Sequence, residues 1–456
     1  MAMLWVLMIF YTMSSWLFGY TPFPRNAGVD ISGLTWVFVI LSLISNSLWL
    51  FVQAAYLLTN NKVIKHHRTA LINSRKNNSS KSFVSVIIPA KNEEAVIKRT
   101  ISNCLSQTYR NIEVIVVCHN CTDSTYLEAR QIHDRRVRIF DYKTKESGKG
   151  LALDFGATRS HGEFILILDS DGMMSSNFIS DALPLFDNDN IGAVQGKIVA
   201  SNRHHNIITQ LLALEGDLYS VPYMTVKSLL DKRTALGGTG YIIRKEILSS
   251  VGGFKNSLID DFELSFRLFR KKFRISFAPL SLCYDEKPPQ IGLMIKQRSR
   301  WVKGHLDILK MRVPESSDIM GIMYWLNPVF MICGLSAIII VSVAIICHIL
   351  FGTMPYTFSF VPIQIWIGTT LVSYFLKLTI IVVQQGTRGV RWAGHLALEP
   401  VFSQYWYVTL IKAFFVKSWA NTKTTHGFLN TRDLSLVSEE HNRAGSFASN
   451  GDVHKY

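Results

Sequence analysis

Two aspartates one residue apart close the run FILILDSDG, with Asp169 and Asp171 on either side of Ser170 and a glycine after them that lets the chain turn. Hard divalent cations take oxygen ligands, and Mg²⁺ or Mn²⁺ commonly sits between one or two carboxylates and substrate phosphates. The pair therefore reads as a metal and diphosphate site, although D-x-D by itself also serves turns and helix caps. A second acidic pair, Asp260 and Asp261, opens the amphipathic stretch LIDDFELSFRL. Capping accounts for one of them, since a negative residue at a helix N-terminus contributes about 0.3–1 kcal/mol. The other is then available as a general base, and Asp261 is the candidate to take the proton of an attacking hydroxyl.

Three further stretches carry chemistry. QRSRWVKGH, from Gln297 to His305, groups an amide, three cations, a tryptophan and a histidine about fifteen residues before a long apolar run. The stretch raises the question of a chemical site at a membrane surface, against the plain reading of an amphipathic helix whose Arg and Lys meet headgroups and whose Trp anchors the interface. ESGKGLAL is no NTPase phosphate loop, because it lacks the upstream glycine and has Gly150 where Ser or Thr would coordinate metal. Its Lys149, at a helix start, can still face a phosphate. In LGGTGYIIRKE the glycines fit a close backbone approach to a ligand better than a dinucleotide fingerprint. Cys118 and Cys121 have CxxC spacing with no second pair to complete a tetrahedral zinc set, so ordinary packing is the reading.

The elements that must position these residues are an alternation of short Val- and Ile-rich runs with helical stretches. FVSVIIPA, IEVIVV, VRIF and EFILILD alternate with 93–106, 123–133 and 149–160. That pattern predicts a mostly parallel, doubly wound sheet over residues 83 to about 280, with ligands at the carboxyl ends of the strands. The fold class is α/β.

Around this domain the chain turns apolar. Of its 456 residues 48% are hydrophobic, and the net charge is +15. Many basic residues flank apolar runs, which points to anionic headgroups and not to nucleic acid. Six scattered cysteines give no secreted disulfide framework. Met3–Tyr20 and Leu34–Leu58 are long enough to span a bilayer, as are about 323–351 and 361–384, whereas 394–416 reads as interfacial or re-entrant. No basic residue precedes the first run and no cleavage site follows it, so it is not a signal peptide. The positive-inside rule places the N-terminus and everything after residue 60 in the cytoplasm. The expected layout is two transmembrane helices over 1–60, a basic linker at 61–82, a catalytic domain at 83–290, amphipathic interface helices at 291–322, membrane and interfacial helices at 323–430 and a disordered tail at 431–456. Localisation would be integral to the cell membrane, multi-pass, with the catalytic domain cytoplasmic.

Taken in order, VSVIIPAKNEE, DSDG, GGTG, DDFEL and QRSRW resemble the motifs of the membrane-embedded processive family 2 glycosyltransferases, the group of cellulose, chitin, hyaluronan and poly-N-acetylglucosamine synthases. The likeness runs from about residue 84 to 304 and reappears at KTTHG. It implies a GT-A-type, Rossmann-like domain that inverts the sugar it transfers from a nucleotide-sugar, a UDP-sugar, to a polysaccharide. Ala90, Asn92 and Glu93 would form the nucleotide-binding turn, Asp169 and Asp171 would hold the metal, and Ser170 between them would bind the donor, as would Lys149. Gly238 and Thr239 would form a loop near the acceptor, with Asp260 on the acceptor and Asp261 as base. Gln297 and Arg300 would sit over the donor diphosphate, Trp301 would be the floor for the terminal sugar, and Lys423, Thr424, Thr425 and His426 would form a gating or priming loop. Two departures stand out: Cys118 and His119 occupy the place where relatives hold the nucleobase with an acidic residue, and Ile259 replaces the first letter of T-E-D. A glycolipid-forming transferase with a ceramide or polyprenol acceptor and a non-catalytic membrane scaffold are the rival readings. Product length separates the first from a polymer synthase, and the intact acidic set argues against the second.

Overall fold

A computed structural model describes residues 32–76, 82–230, 234–308 and 363–416. The chain divides into two compact units, one of residues 1–54 and 309–415, the other of residues 55–308 and 416–456.

The second unit contains an eight-stranded sheet in the order β3-β2-β1-β4-β7-β6-β8-β5. Its first half follows the sequence expectation. Strands β1 (Val84–Ala90), β2 (Ile112–His119), β3 (Val137–Tyr142) and β4 (Phe164–Ile167) are parallel, and between them lie α2 (Ile97–Leu105), α3 (Thr125–Arg130) and α4 (Lys149–Arg159). Successive β1 residues go to opposite faces: Val86 and Ile88 join a core with Ile97, Ile101 and Ala129, while Ile87 joins Leu153, Ile165 and Leu264. Covering both faces requires strands that are apolar throughout, which is why these runs do not alternate.

The other half keeps the sheet mostly parallel, as expected, but adds two reversed strands. After β5 (Met173–Met174), α5 (Phe178–Ala182) and β6 (Ile191–Ala200), β7 (Tyr241–Arg244) enters antiparallel to both β4 and β6, β8 (Arg274–Asp285) runs parallel to β6, and β5 pairs antiparallel with β8. A parallel strand brings its carboxyl end to the site. β7 is reversed, so its preceding loop, Gly237–Gly240, arrives beside Asp169, with Tyr241 in register with Ile167. Between β6 and that loop run α6 (Ile207–Glu215), a π-helical turn (Gly216–Ser220) and α7 (Val221–Leu230). The helices α8 (Lys245–Ser250), α9 (Asp260–Arg270) and α10 (Ile291–Ile308) complete the unit.

The helix α1 (Ser32–Lys76) precedes the sheet. Its His67, 1% exposed, bonds the carbonyl of Asp181 at 2.7 Å and receives the Leu280 N–H at 3.4 Å. Because a carbonyl can only accept, Nε2 carries the proton and Nδ1 accepts. In the first unit α11 (Ile363–Gln385) is followed by a 3₁₀ segment, then α12 (Ala393–Phe402) and α13 (Tyr405–Ala413).

The integral-membrane, multi-pass placement is overturned here: among the described residues no helix is long and apolar enough to cross a membrane. The run expected to span at 34–58 belongs to a 45-residue helix that carries Gln53 in a buried position and continues through Asn60, Lys62 and Lys65. Within α11, Lys377 pairs with Glu399 of α12 at 2.9 Å, and 394–416 breaks into two short helices. Among the described residues the α/β domain is therefore not flanked by spanning helices. The runs at 3–20 and 323–351, the KTTHG loop and the tail from 431 lie outside the described residues.

At Gly240, φ is +61°, and an added Cβ would stand 2.4 Å from Cys283 Cβ. Gly240→Ala combines a left-handed non-glycine residue with an overpacked core, and should cost roughly 2–4 kcal/mol. Thermal unfolding of the variant should shift downward by several degrees; an unchanged midpoint would refute this account of the β7 entry.

Candidate functional site

A cavity of about 470 Å³ opens at the carboxyl ends of β1 and β4. The structure brings most of the sequence-derived candidates to its wall: Ala90, Glu93, Lys149, Asp169, Ser170, Asp171, Gly238, Thr239, Asp260, Asp261, Gln297, Arg300 and Trp301 all line it. Asn92 does not. Its φ is +59°, and its side chain bonds Thr122, tying the turn after β1 to the turn after β2. Residues 423–426 lie outside the described chain.

At the centre is Lys149, whose ammonium meets Asp169 Oδ1 at 2.5 Å and donates to the Gly238 carbonyl at 2.8 Å. Burial alone would depress its pKa, but the fields of Asp169, Asp260 and Asp261 outweigh that and hold it above the ordinary lysine value. The first residue of α4 reaches this position because the chain packs tightly on either side. A Cβ at Gly148 would fall 1.7 Å from Asn256 Oδ1, and one at Gly150 would fall 2.0 Å from the Lys255 carbonyl. The glycines of GKG thus serve packing against residues 255–256 and need no phosphate loop to explain them.

The loop before β7 is fastened from beneath by Gln195 of β6. Its Oε1 accepts the Gly237 N–H at 2.8 Å, and its Nε2 donates to the carbonyls of Thr239 at 3.0 Å and Gly240 at 3.1 Å. Thr239 Oγ1 accepts the Asp169 N–H at 3.0 Å. Gly238, at φ +83°, keeps the loop bare where a Cβ would come 3.2 Å from Asp261 Oδ2. The base candidate therefore faces a backbone surface with no side chain in the way.

Asp260 and Asp261 form the first turn of α9. Asp260 is 5% exposed, with Oδ2 buried and unpartnered. Burial and then the neighbouring charge of Asp260 push Asp261 up to about 6, against the opposing pull of Lys149. Arg300 of α10 donates to the Leu258 carbonyl at 2.9 Å, and a Cβ at Gly304 would meet Ile259 side-chain carbons at 2.6 Å. These contacts pack α10 directly on the segment that presents the aspartates. Trp301 has the Arg298 guanidinium over its ring at 4.2 Å, and Arg298 in turn pairs with Glu215 at 3.1 Å.

His119 lines the cavity beside Ala90 and Gly148. Its ring contacts the Gly148 carbonyl at 3.2 Å and Thr144 Oγ1 at 2.8 Å and stacks on Tyr142. Burial lowers its pKa. Asp123 accepts the N–H groups of Thr125 at 3.0 Å and Glu94 at 3.3 Å, so it binds the first turn of α3 and the turn after β1. Cys118 and Cys121 stay reduced; Cys121 Sγ bonds the Ala90 carbonyl at 3.5 Å.

Sequence reasoning passed over Gln195, Glu215 and Arg298. A lone amide in the apolar strand IGAVQGKIVA was the available signal for the first. The other two meet across about 80 residues of chain, and their sequence neighbours do not announce it.

Residues 81–304 match the family model described as glycosyltransferase like family 2. The chain is 25% identical over 365 residues to the probable glycosyltransferase YdaM of Bacillus subtilis, covering 75% of this chain and 84% of that one. It is 30% identical over 236 residues to the beta-monoglucosyldiacylglycerol synthase of Nostoc sp., covering 49% of this chain and 48% of that one. Against the poly-beta-1,6-N-acetyl-D-glucosamine synthase of Staphylococcus aureus it is 24% identical over 235 residues, covering 50% of this chain and 55% of the other. The chain thus spans about half the length of these two synthases. Among solved structures, the mannosyltransferase PcManGT of Pyrobaculum calidifontis, in complex with GDP-Man and Mn²⁺, aligns at a TM-score of 0.52 and 16% identity, over 80% of this chain and 99% of that one, a likeness of fold.

A carboxyl whose folded pKa is raised contributes stability that is complete below its unfolded value and is lost as pH rises through its folded value. For Asp261 that window runs from the ordinary 3.8 to about 6. Asp261→Asn removes this loss, so the variant's melting temperature should gain on the wild type between pH 4 and pH 7. A difference that stays constant or shrinks over that range would contradict the half-buried, carboxylate-flanked setting of Asp261.

Proposed function

Given that residues 81–304 form a glycosyltransferase domain matched by family 2, we propose that this chain transfers a sugar from a nucleotide-sugar, a UDP-sugar, to a hydroxyl of a growing saccharide, inverting the anomeric carbon and adding units processively. The observation that carries this reading is the convergence of Asp169, Asp171, Lys149, Asp261 and Arg300 on one cavity.

The cations set the orientation of the donor. Lys149, paired to Asp169, and Arg300, bonded to the Leu258 carbonyl just ahead of α9, both line the cavity and would meet the diphosphate, while Ala90, Glu93 and His119 form the edge where the nucleoside would rest. The D-x-D carboxylates fit a hard divalent cation. They offer oxygen alone, and no cluster of three or more metal-ligating side chains occurs among the described residues, so the remaining ligands would come from water and donor phosphates. Mg²⁺ or Mn²⁺ held by Asp169 and Asp171 would neutralise the departing nucleoside diphosphate.

On the opposite side of the anomeric carbon, Asp261 accepts the proton of the acceptor hydroxyl as that oxygen bonds to C1 and the C1–O bond to the diphosphate breaks. The electron pair leaves with the diphosphate, where Lys149 and Arg300 balance its charge. A base poised near 6 is ionised at neutral pH yet still holds a proton usefully. The unpartnered Oδ2 of Asp260 is placed to accept a second hydroxyl of the acceptor. Arg298 covers one face of Trp301, and the part of the ring that lines the cavity is what an acceptor pyranose would meet.

The likeness to a beta-monoglucosyldiacylglycerol synthase favours a second reading, in which the same core glycosylates a lipid. Product size decides between the two.

Replacing Asp171 with Asn should abolish transfer, and chelation of wild-type enzyme should do the same until Mn²⁺ or Mg²⁺ is returned; metal-dependent activity in the variant would place the cation elsewhere. Asp261→Asn should lower kcat by about 10²–10⁴-fold with donor affinity retained. The wild-type rate should climb with pH through about 6 as the base ionises. Loss of donor binding in Asp261→Asn would assign that residue to the diphosphate instead.

A further inference from the structure

One wall of the cavity takes no part in the chemistry described above. It is formed by α6, the π-helical turn and α7, and its cavity-lining residues include Leu212, Gly216, Ser220 and Met224, spaced four apart. A π-turn inserts one residue into a helix and is frequently found at functional sites. The wall stands next to the base. Gly238 lies against Asp261 Oδ2, and at the preceding residue, Gly237, an added Cβ would meet Ile198 Cδ1 at 2.8 Å and Met224 Cε at 3.7 Å. Successive Cα atoms are about 3.8 Å apart, so the apolar shelf of Ile198 and Met224 begins one residue from the catalytic carboxylate.

The shelf is bordered by fixed charges. Glu215 is paired to Arg298, and Arg298 is stacked on Trp301, so the wall and the tryptophan are joined by an ion pair and a cation–π contact. Asp217, within the π-turn, is paired to the buried Arg203 at 2.6 Å. Apolar surface edged by ion-paired carboxylates suits a pyranose, which has carbon faces and a rim of hydroxyls. It does not suit an acyl chain, whose burial against Glu215 and Asp217 would desolvate both without a hydrogen bond in return. At the middle of the wall Gly216 has ordinary helical angles, φ −59° and ψ −47°, and beyond its chain neighbours and its own helix's backbone no atom lies within 4 Å of where its Cβ would be. The glycine answers to no backbone or packing demand. What it does is leave space.

Building on the glycosyltransferase reading, we propose that this wall is the subsite for the body of a saccharide acceptor and that Gly216 sets the size of ring it admits. The acceptor's reacting hydroxyl lies toward Asp261, its carbon face on Met224 and Ile198, and its other hydroxyls toward Glu215 and Asp217.

Gly216→Ala and Gly216→Leu in the full chain test this, because both residues are good helix formers and the added atoms enter open space. With UDP-N-acetylglucosamine and UDP-glucose as donors, the ratio of transfer onto chitobiose or cellobiose to donor hydrolysis should fall about tenfold or more in Gly216→Leu and less in Gly216→Ala. A separate readout needs no donor: calorimetric titration of chitobiose and cellobiose into wild type and Gly216→Leu should show binding of at least one disaccharide that the variant has lost. An unchanged transfer-to-hydrolysis ratio, or equal disaccharide affinity in the two proteins, overturns the proposal. So does an outcome in which Gly216→Leu impairs transfer to dioctanoylglycerol and spares the disaccharides. If wild type turns over neither donor, the functional reading falls, while the titration still decides for or against the subsite.

Discussion

The ammonium of Lys149 is the interaction on which the site depends. Asp169, Asp260 and Asp261 lie close enough for each to act on it, and three carboxylates converging without a cation would repel one another in a setting where charge is poorly solvated. Lys149 makes the cluster tolerable, and it does so from the first residue of a helix whose glycine neighbours let that helix start against residues 255–256. It also ties two parts of the sheet, since its second bond goes to the Gly238 carbonyl on the loop before β7. Replacement of this one side chain would therefore unbalance the charges and free the loop together.

That dependence explains the mixed sheet. A fully parallel arrangement would present strand ends only, whereas the reversed β7 delivers a glycine loop to the flank of Asp169. Gln195 holds the loop from below with one acceptor and one donor group, a duty that a buried amide can perform because it has both. From above, α10 rests on the segment ahead of α9 through Arg300 and Gly304. Asp261 is thus set by contacts from β6, β7 and α10, elements far apart in the chain.

Local signals carried the first half of the domain. The apolar runs, the helices between them and the two acidic pairs were legible because their periodicity and residue types are properties of short stretches. The direction of β7 was not, since an apolar strand reads the same either way. The partnership of Glu215 with Arg298 escaped for a related reason: opposite charges on distant helices have no shared pattern until the fold joins them. Of the apolar runs flanking the domain, those among the described residues were over-read: length and hydrophobic content argued for spanning segments, but no described helix is long and apolar enough to cross a membrane, and these carry a Lys377–Glu399 pair and a buried Gln53.

The histidine that fastens α1 has a consequence of its own. With a carbonyl on one side and an N–H on the other, the His67 ring works as an adapter between an acceptor and a donor, and only one neutral tautomer fits. Burial holds its pKa down at about 4, so the adapter keeps its form across the whole physiological range. Protonation would turn the accepting nitrogen into a second donor facing the Leu280 N–H, and the stability the clasp provides would be lost as the medium is acidified through that value. The attachment is therefore insensitive to ordinary changes in pH and sensitive to side-chain identity: lysine or arginine can donate to Asp181 but cannot accept from Leu280.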